Sequence, residues 1–250
     1  MNERDIAKGF SALWAEFFPM LSPTFVIAFN EAFGRPILGQ GGIVSAVDPT
    51  SPSRRPDVLA EFAFRLASAS YGAGVPVKVA AKDDGLMTAA FGAAVKRIRE
   101  LRPDFSADEP FLDEEEQVEG VRLALVYDEF VGLWPATEAV VFSPIIKGSG
   151  VLGQCLGDLA IGETLYEVKT VSRPFHSRDL RQLLIYLALQ TVTGEKRWEY
   201  GGLFNPRMAL FCTFSIDWLV MRLSGGRPPN LVFPDFLQAL SRDSVLDRRF

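Results

Sequence analysis

The sequence predicts an α/β protein with a mainly helical N-terminal region, and three observations carry that expectation. Helical periodicity recurs through residues 1–101. Two strand-like runs flank the pair Gly162-Glu163. A segment of strong helix formers at 178–189 is followed by an apolar, β-prone run at 208–216.

Along the chain, Phe10, Leu13, Trp14, Phe17 and Phe18 fall at helical spacing within residues 1–20 and describe an amphipathic helix with a core-facing side. Residues 34–56, with Gly41-Gly42 and Pro52-Ser53-Arg54-Arg55-Pro56, read as loop. Helical patterns return at 58–70 and 86–101. Arg102-Pro103-Asp104 closes the second of these, and a polar, acidic stretch runs on to Glu116. The chain is therefore divided near residue 105, into an N-terminal helical region of unknown role (1–105) and a second domain (106–250). The acids Asp113 to Glu116 read as the first turn of a helix, where the dipole favours negative charge, with a metal-binding cluster as the alternative. Residues 118–133 read as a largely buried helix ended by Trp134-Pro135. Val140-Val141-Phe142 and Ile145-Ile146 follow as short extended segments, and 234–241 read as a closing helix with Pro234 in its first turn.

Composition removes several classes of function. With 250 residues, 48% of them apolar, the chain can bury a full core. A formal charge of -5 excludes the global positive field of a protein that coats nucleic acid, so any such contact is local. Cys155 and Cys212 are too few for a disulfide framework or a cysteine zinc site and read as buried thiols. The single histidine, His176, has no partner for a histidine metal cluster. Acids stand where a signal peptide carries basic residues, and no apolar run reaches the roughly 18 residues of a membrane span. A soluble cytoplasmic protein with no membrane partner is expected.

The informative segment is 157–171. If Gly162 and Glu163 form a glycine-first two-residue turn, Ile161 faces Thr164, and counting outward brings Asp158 opposite Glu167. The period of two puts Lys169 on the same face. Like charges directly opposite destabilise an antiparallel pair by roughly a few tenths of a kcal/mol or more, so a purely structural hairpin has little reason to place these carboxylates together. A divalent cation reverses that sign, since Mg²⁺ takes hard oxygen ligands, commonly one or two carboxylates with waters and phosphate oxygens. Lys169 would then orient or activate the attacking water and stabilise charge on the phosphate. The alternative is an exposed face with Lys169 ion-paired to Glu167 or Asp158.

This Asp, eight residues, Glu-Val-Lys pattern resembles the PD-(D/E)XK nuclease superfamily, the restriction-endonuclease-like fold, with Gly157 where the family has its nominal proline. Ser177 reads as the N-cap of the next helix, on which Gln182 and Tyr186 share a face beside Asp179. They resemble the Gln-x-x-x-Tyr motif of the RecB-like and lambda-exonuclease-like branches. The resemblance covers about residues 119–216. It implies a central mixed sheet flanked by helices and a Mg²⁺- or Mn²⁺-dependent hydrolase of phosphodiester bonds, with DNA placed ahead of RNA, in restriction, repair or anti-phage defence. Asp158, Glu167, Lys169 and Gln182 would be catalytic, and Tyr186 would approach the nucleic-acid backbone, with a core aromatic as its alternative.

The resemblance also implies a further acid on an upstream helix, completing the metal shell with Asp158 and Glu167. Glu119 is chosen from Glu116, Glu119, Asp128 and Glu129 because it interrupts an apolar helix. Between Glu167 and Leu210, Lys169, Arg173, Arg178, Arg181, Lys196, Arg197 and Arg207 outnumber the acids Glu167, Asp179, Glu195 and Glu199. Arg173, Arg178 and Arg181 are thus expected to meet phosphate, a solvated helix face being the alternative. The acidic average favours work beside a protein partner or in a homo-oligomer. The competing function is a catalytically silent member serving as a binding or assembly module, and the competing fold is an ordinary αβ domain.

Overall fold

The computed structural model of the chain describes residues 3–49, 55–102, 111–195 and 198–247. Helices α1 (Glu3–Lys8), α2 (Ser11–Phe17) and α3 (Pro23–Phe33) open it. The first amphipathic segment is thus two helices. Gly9 ends α1, and Phe10 takes a left-handed φ of 55° before α2. Leu13, Trp14, Phe17 and Phe18 are all buried, so the periodic face is present although the helix is broken.

The segment expected as loop carries β1 (Arg35–Pro36), β2 (Leu38–Gly39) and β3 (Gly42–Ile43). β1 lies at the edge of the main sheet, a position that tolerates a proline with no N–H to donate. Next come α4 (Pro56–Ala73), α5 (Val77–Ala80), α6 (Asp84–Leu101) and α7 (Glu114–Val131). The acidic run is a helix start: the Glu116 N–H donates to Asp113 Oδ1 at 2.8 Å, and the Asp113 N–H donates to the Glu116 carboxylate at 3.2 Å. Residues 50–54 and the boundary near 105 lie outside the described residues.

The rest of the chain runs through β4 (Val140–Phe142), β5 (Ile145–Ile146), β6 (Cys155–Leu156), β7 (Leu159–Ile161), β8 (Thr164–Val168), α8 (Ser177–Val192), β9 (Tyr200–Asn205), β10 (Leu210–Ser215), α9 (Ile216–Leu223) and α10 (Pro229–Asp247). A six-stranded mixed sheet has the order β1-β10-β9-β8-β7-β4, with β8 and β9 parallel and the other pairs antiparallel. Here α8 makes the crossover that a parallel pair requires. β2 pairs with β3 and β5 with β6 in two small ribbons. Among the described residues no helix is long and apolar enough to cross a membrane.

Apolar clusters fill both faces of the sheet. On one, Ala160, Leu165, Leu203 and Phe214 meet α8, α10 and the three opening helices; Trp14 lies 4.9 Å from Phe236. On the other, Leu159, Ile161, Tyr166 and Phe204 meet α4, α6 and α7, and Phe130 stacks on Phe204 at 4.0 Å. Each cluster draws residues from both sides of position 105. Cys155 and Cys212 are buried free thiols, as expected.

Three local expectations are corrected, and one helix is additional to them. The N-cap of α8 is His176, one residue before Ser177; its N–H donates to Asp179 Oδ2 at 2.8 Å. The closing helix begins at Pro229 and holds Pro234 in its interior. α9 had no distinct signal. The strand after α8 is β9, ahead of the apolar run that became β10; two glycines and Asn205 mask it, since glycine is a weak strand former. The glycine at 202 is required by packing. It registers opposite Tyr166, and a Cβ there would stand 2.3 Å from the Tyr166 ring. Gly202→Ala is therefore expected to destabilise the fold by about 1–3 kcal/mol, the usual range for overpacking, read as a lower midpoint in urea denaturation.

Candidate active site

The turn at Gly162-Glu163 fixes where the charged residues stand. Gly162 has a φ of 53°, while Glu163 is not among the residues with positive φ, the pattern of a glycine-first hairpin turn. The pairs Leu159↔Tyr166, Ala160↔Leu165 and Ile161↔Thr164 follow, in the register read from the sequence. Asp158 comes next outward, and its Oδ2 accepts the Val168 N–H at 2.7 Å, which anchors it to the partner strand. Leu165 belongs to the cluster on the α8 side and Tyr166 to the opposite one, so alternation puts Glu167 and Lys169 beside α8.

Glu167 is 1% exposed. Its Oε1 accepts from Lys169 Nζ, whereas Oε2 is buried with no hydrogen-bond partner among the described residues. Burial, then the Asp158 charge, push its carboxyl up to about 8, against the pull of Lys169 and Arg4. Burial opposes the charge on Lys169, yet Glu167 and Asp158 hold its ammonium above the ordinary lysine value. Lys169 Nζ also donates to Gln182 Oε1 at 3.0 Å, and Gln182 Nε2 donates to the Tyr186 hydroxyl at 3.0 Å. That hydroxyl in turn donates to Glu3 Oε1 on α1 at 3.5 Å. Glu167, Lys169, Gln182 and Tyr186 thus form one hydrogen-bonded chain, on which Asp158 acts through its charge.

Asp158, Glu167 and Lys169 line a cavity of about 520 Å³ whose other walls come mainly from α1, α4 and α6, with Tyr127 of α7. Among the described residues no group of three or more His, Cys, Asp and Glu is placed to hold a metal ion. The donor set on offer is the two carboxylates, one with an orphaned buried oxygen. That fits a hard cation which keeps waters and substrate oxygens in its shell, as Mg²⁺ does.

Several expected residues stand elsewhere. Glu119 is 2% exposed and ion-paired with Arg207 at 2.6 Å, away from the cavity lining. Glu116 pairs with Arg55, Asp128 accepts the Val77 N–H at 2.8 Å, and Glu129 lines a separate cleft beside Gly39. The helical acids that do line the cavity are Asp5 of α1 and Asp57 and Glu61 of α4, of which Asp57 is ion-paired to Arg102 at 2.8 Å and Glu61 to Arg65 at 2.6 Å. Nothing local in the sequence singles them out; only the packing of α1 and α4 does.

The basic residues are also redistributed. Arg173 binds the buried Asp179 at 2.8 Å and the Pro174 carbonyl, so it braces the start of α8. Arg181 lies over the Trp14 ring at 5.3 Å, and Arg178 is exposed; none of the three lines the cavity. Lys196 and Arg197 lie outside the described residues. Tyr186 is 1% exposed and belongs to the core, so it meets the site through Gln182 and presents no surface to a strand. Besides Lys169, the cations that line the cavity are Arg4, Lys8, Arg65, Arg97 and Arg102, all from the region that resembled no family.

Comparison with protein-family models, characterised proteins and solved structures yields no match to this chain.

The raised Glu167 carboxyl makes stability depend on pH. Below its ordinary value of 4.5 both folded and unfolded chains hold the proton; from there to about 8 the folded chain alone does. Stability from this group therefore falls as pH rises through that window, by at most about 1.4 kcal/mol per unit, and levels above it. His176, lowered by burial and by Arg173, gives a slope of opposite sign that a Glu167 variant retains. In EDTA, Glu167→Gln is expected to remove the Glu167 part, so that the difference in urea stability between variant and parent grows from pH 5 to 8. A difference constant over that range would show that Glu167 titrates normally.

Proposed function

We propose that the chain is a divalent-cation-dependent nuclease of restriction-endonuclease-like fold, hydrolysing phosphodiester bonds with DNA as its first substrate. The observation that carries this is Glu167: a buried carboxylate with an unpartnered oxygen, coupled to Asp158 and paired to Lys169 on the wall of an open cavity. A hairpin needed only for structure gains nothing from that arrangement. Support for the fold comes from the order helix α7, strand β4, hairpin β7-β8, crossover α8 and parallel strand β9. It joins the resemblance in the Asp, Glu-x-Lys and Gln-x-x-x-Tyr residues. Restriction, repair or anti-phage defence is the setting that resemblance implies.

Asp158 and Glu167 would hold Mg²⁺ or Mn²⁺ through their carboxylate oxygens. A bound ion supplies Lewis acidity toward water and positive charge against the phosphate. Glu167 and Asp158 raise the Lys169 pKa, so its ammonium would donate to phosphate oxygen and offset developing negative charge. Gln182 fixes the ammonium through its carbonyl oxygen, and the Tyr186 hydroxyl accepts from the amide and sets its orientation.

The test is incubation with labelled single- and double-stranded DNA and RNA in Mg²⁺, Mn²⁺ or EDTA. Cleavage is expected with metal and absent with EDTA. Lys169→Ala should lower the rate on the order of 10²- to 10³-fold, as removal of one transition-state donor does. Gln182→Ala, which acts through Lys169, should lower it about 10- to 100-fold. Cleavage that persists in EDTA, or that Lys169→Ala leaves untouched, would overturn the reading. No cleavage, together with Mn²⁺ binding lost in Asp158→Asn, would favour a silent binding module.

A further inference from the structure

The N-terminal region supplies a wall of the cavity, and its charges are not equivalent. Arg65, Arg97 and Arg102 are each ion-paired, with Glu61, Glu100 and Asp57. Arg4 and Lys8, four apart on α1 and so on one face, line the same cavity and form no ion pair among the described residues. Arg4 stands close enough to Glu167 to pull its carboxyl pKa down.

The helix that carries them is held firmly. Ile6 and Ala7 are buried, Trp14 Nε1 donates to the Ile6 carbonyl at 3.0 Å, and Glu3 receives the Tyr186 hydroxyl. Two unspent cations therefore project from a fixed element beside a buried carboxylate with an orphaned oxygen. Fixed cations in such a position suit the phosphates on either side of a reacting one.

The cavity's size limits what can enter. About 520 Å³ lies in the range of sites that enclose a drug-sized ligand. That accommodates a nucleotide or two, while the major groove of a duplex alone is about 12 Å wide.

Resting on the nucleic-acid reading above, we propose that α1 is a backbone clamp for a single strand, in which Arg4 and Lys8 hold phosphates flanking the one presented to Asp158 and Glu167. The substrate class is single-stranded nucleic acid or a frayed end. Duplex enters only after its strands part.

The experiment is fluorescence anisotropy in EDTA, with a short labelled single-stranded DNA and its blunt duplex, over a series of salt concentrations. Single strand is expected to bind at least about tenfold tighter than duplex. Two lost phosphate contacts in Arg4→Ala/Lys8→Ala should reduce the slope of log affinity against log salt by about 1.4, at about 0.7 per contact for single strands. Arg222→Ala, exposed on α9, should leave affinity and slope unchanged. Both clamp residues lie outside the core, and thermal melting checks that the double variant is folded. Equal binding of duplex, or an unchanged slope in the folded double variant, would overturn the clamp. Metal-dependent cleavage with an unchanged slope would overturn the clamp alone. A changed slope with no cleavage in any metal would support the clamp and count against the nuclease reading.

Discussion

The register of β7 against β8 is the constraint on which the site depends. A slip of one residue would send every side chain of the hairpin to the opposite face, and here both faces resist it. Leu165 is fully buried toward α8, and Tyr166 is fully buried against Phe130, with their ring centroids 5.1 Å apart. Glu167 and Lys169 stand beside Gln182 because their apolar neighbours have nowhere else to go. Apolar packing thus holds two carboxylates together against their repulsion. The cost of desolvating Glu167 is offset by packing spread over the whole sheet, of which Lys169 is one local part.

What could be read in the sequence divides along the range of the interactions. The Gly162-Glu163 turn and the spacing of Asp158, Glu167 and Lys169 depend on neighbours within about a dozen residues, and the structure reproduces that register. So does the Gln182-Tyr186 pair, which faces Lys169 because α8 follows directly. Glu119 and Glu61 show the other side. Both are acids on long helices, and only the packing of α7 and α4 decides that one pairs with Arg207 while the other lines the cavity. β9 was hidden for a related reason. Gly202 makes a good strand residue only because the Tyr166 ring covers it from the neighbouring strand.

The excess of basic residues after Glu167 was real in the sequence but turned to other work. Arg173 braces the Asp179 carboxylate, Arg181 rests on Trp14, and Arg207 neutralises Glu119. Charge density along a chain does not report which cations are already neutralised. Arg4 and Lys8, two residues in a net acidic protein, line the cavity where Arg173, Arg178 and Arg181 do not, and form no ion pair among the described residues.

The opening helices bear on how the molecule is made. α1 packs against α8, and α2 is covered by α10. Trp14 therefore waits for Phe236, more than two hundred residues later, and the loops closed by these contacts carry a large entropic cost before any contact repays it. While the chain is being synthesised, the β7-β8 hairpin emerges before α8, the helix on which α1 rests. An emerging chain would hold paired carboxylates without a cavity around them. The geometry ties assembly of the pocket to the arrival of α8, which seats α1, and ties the cover over α2 to the later α10.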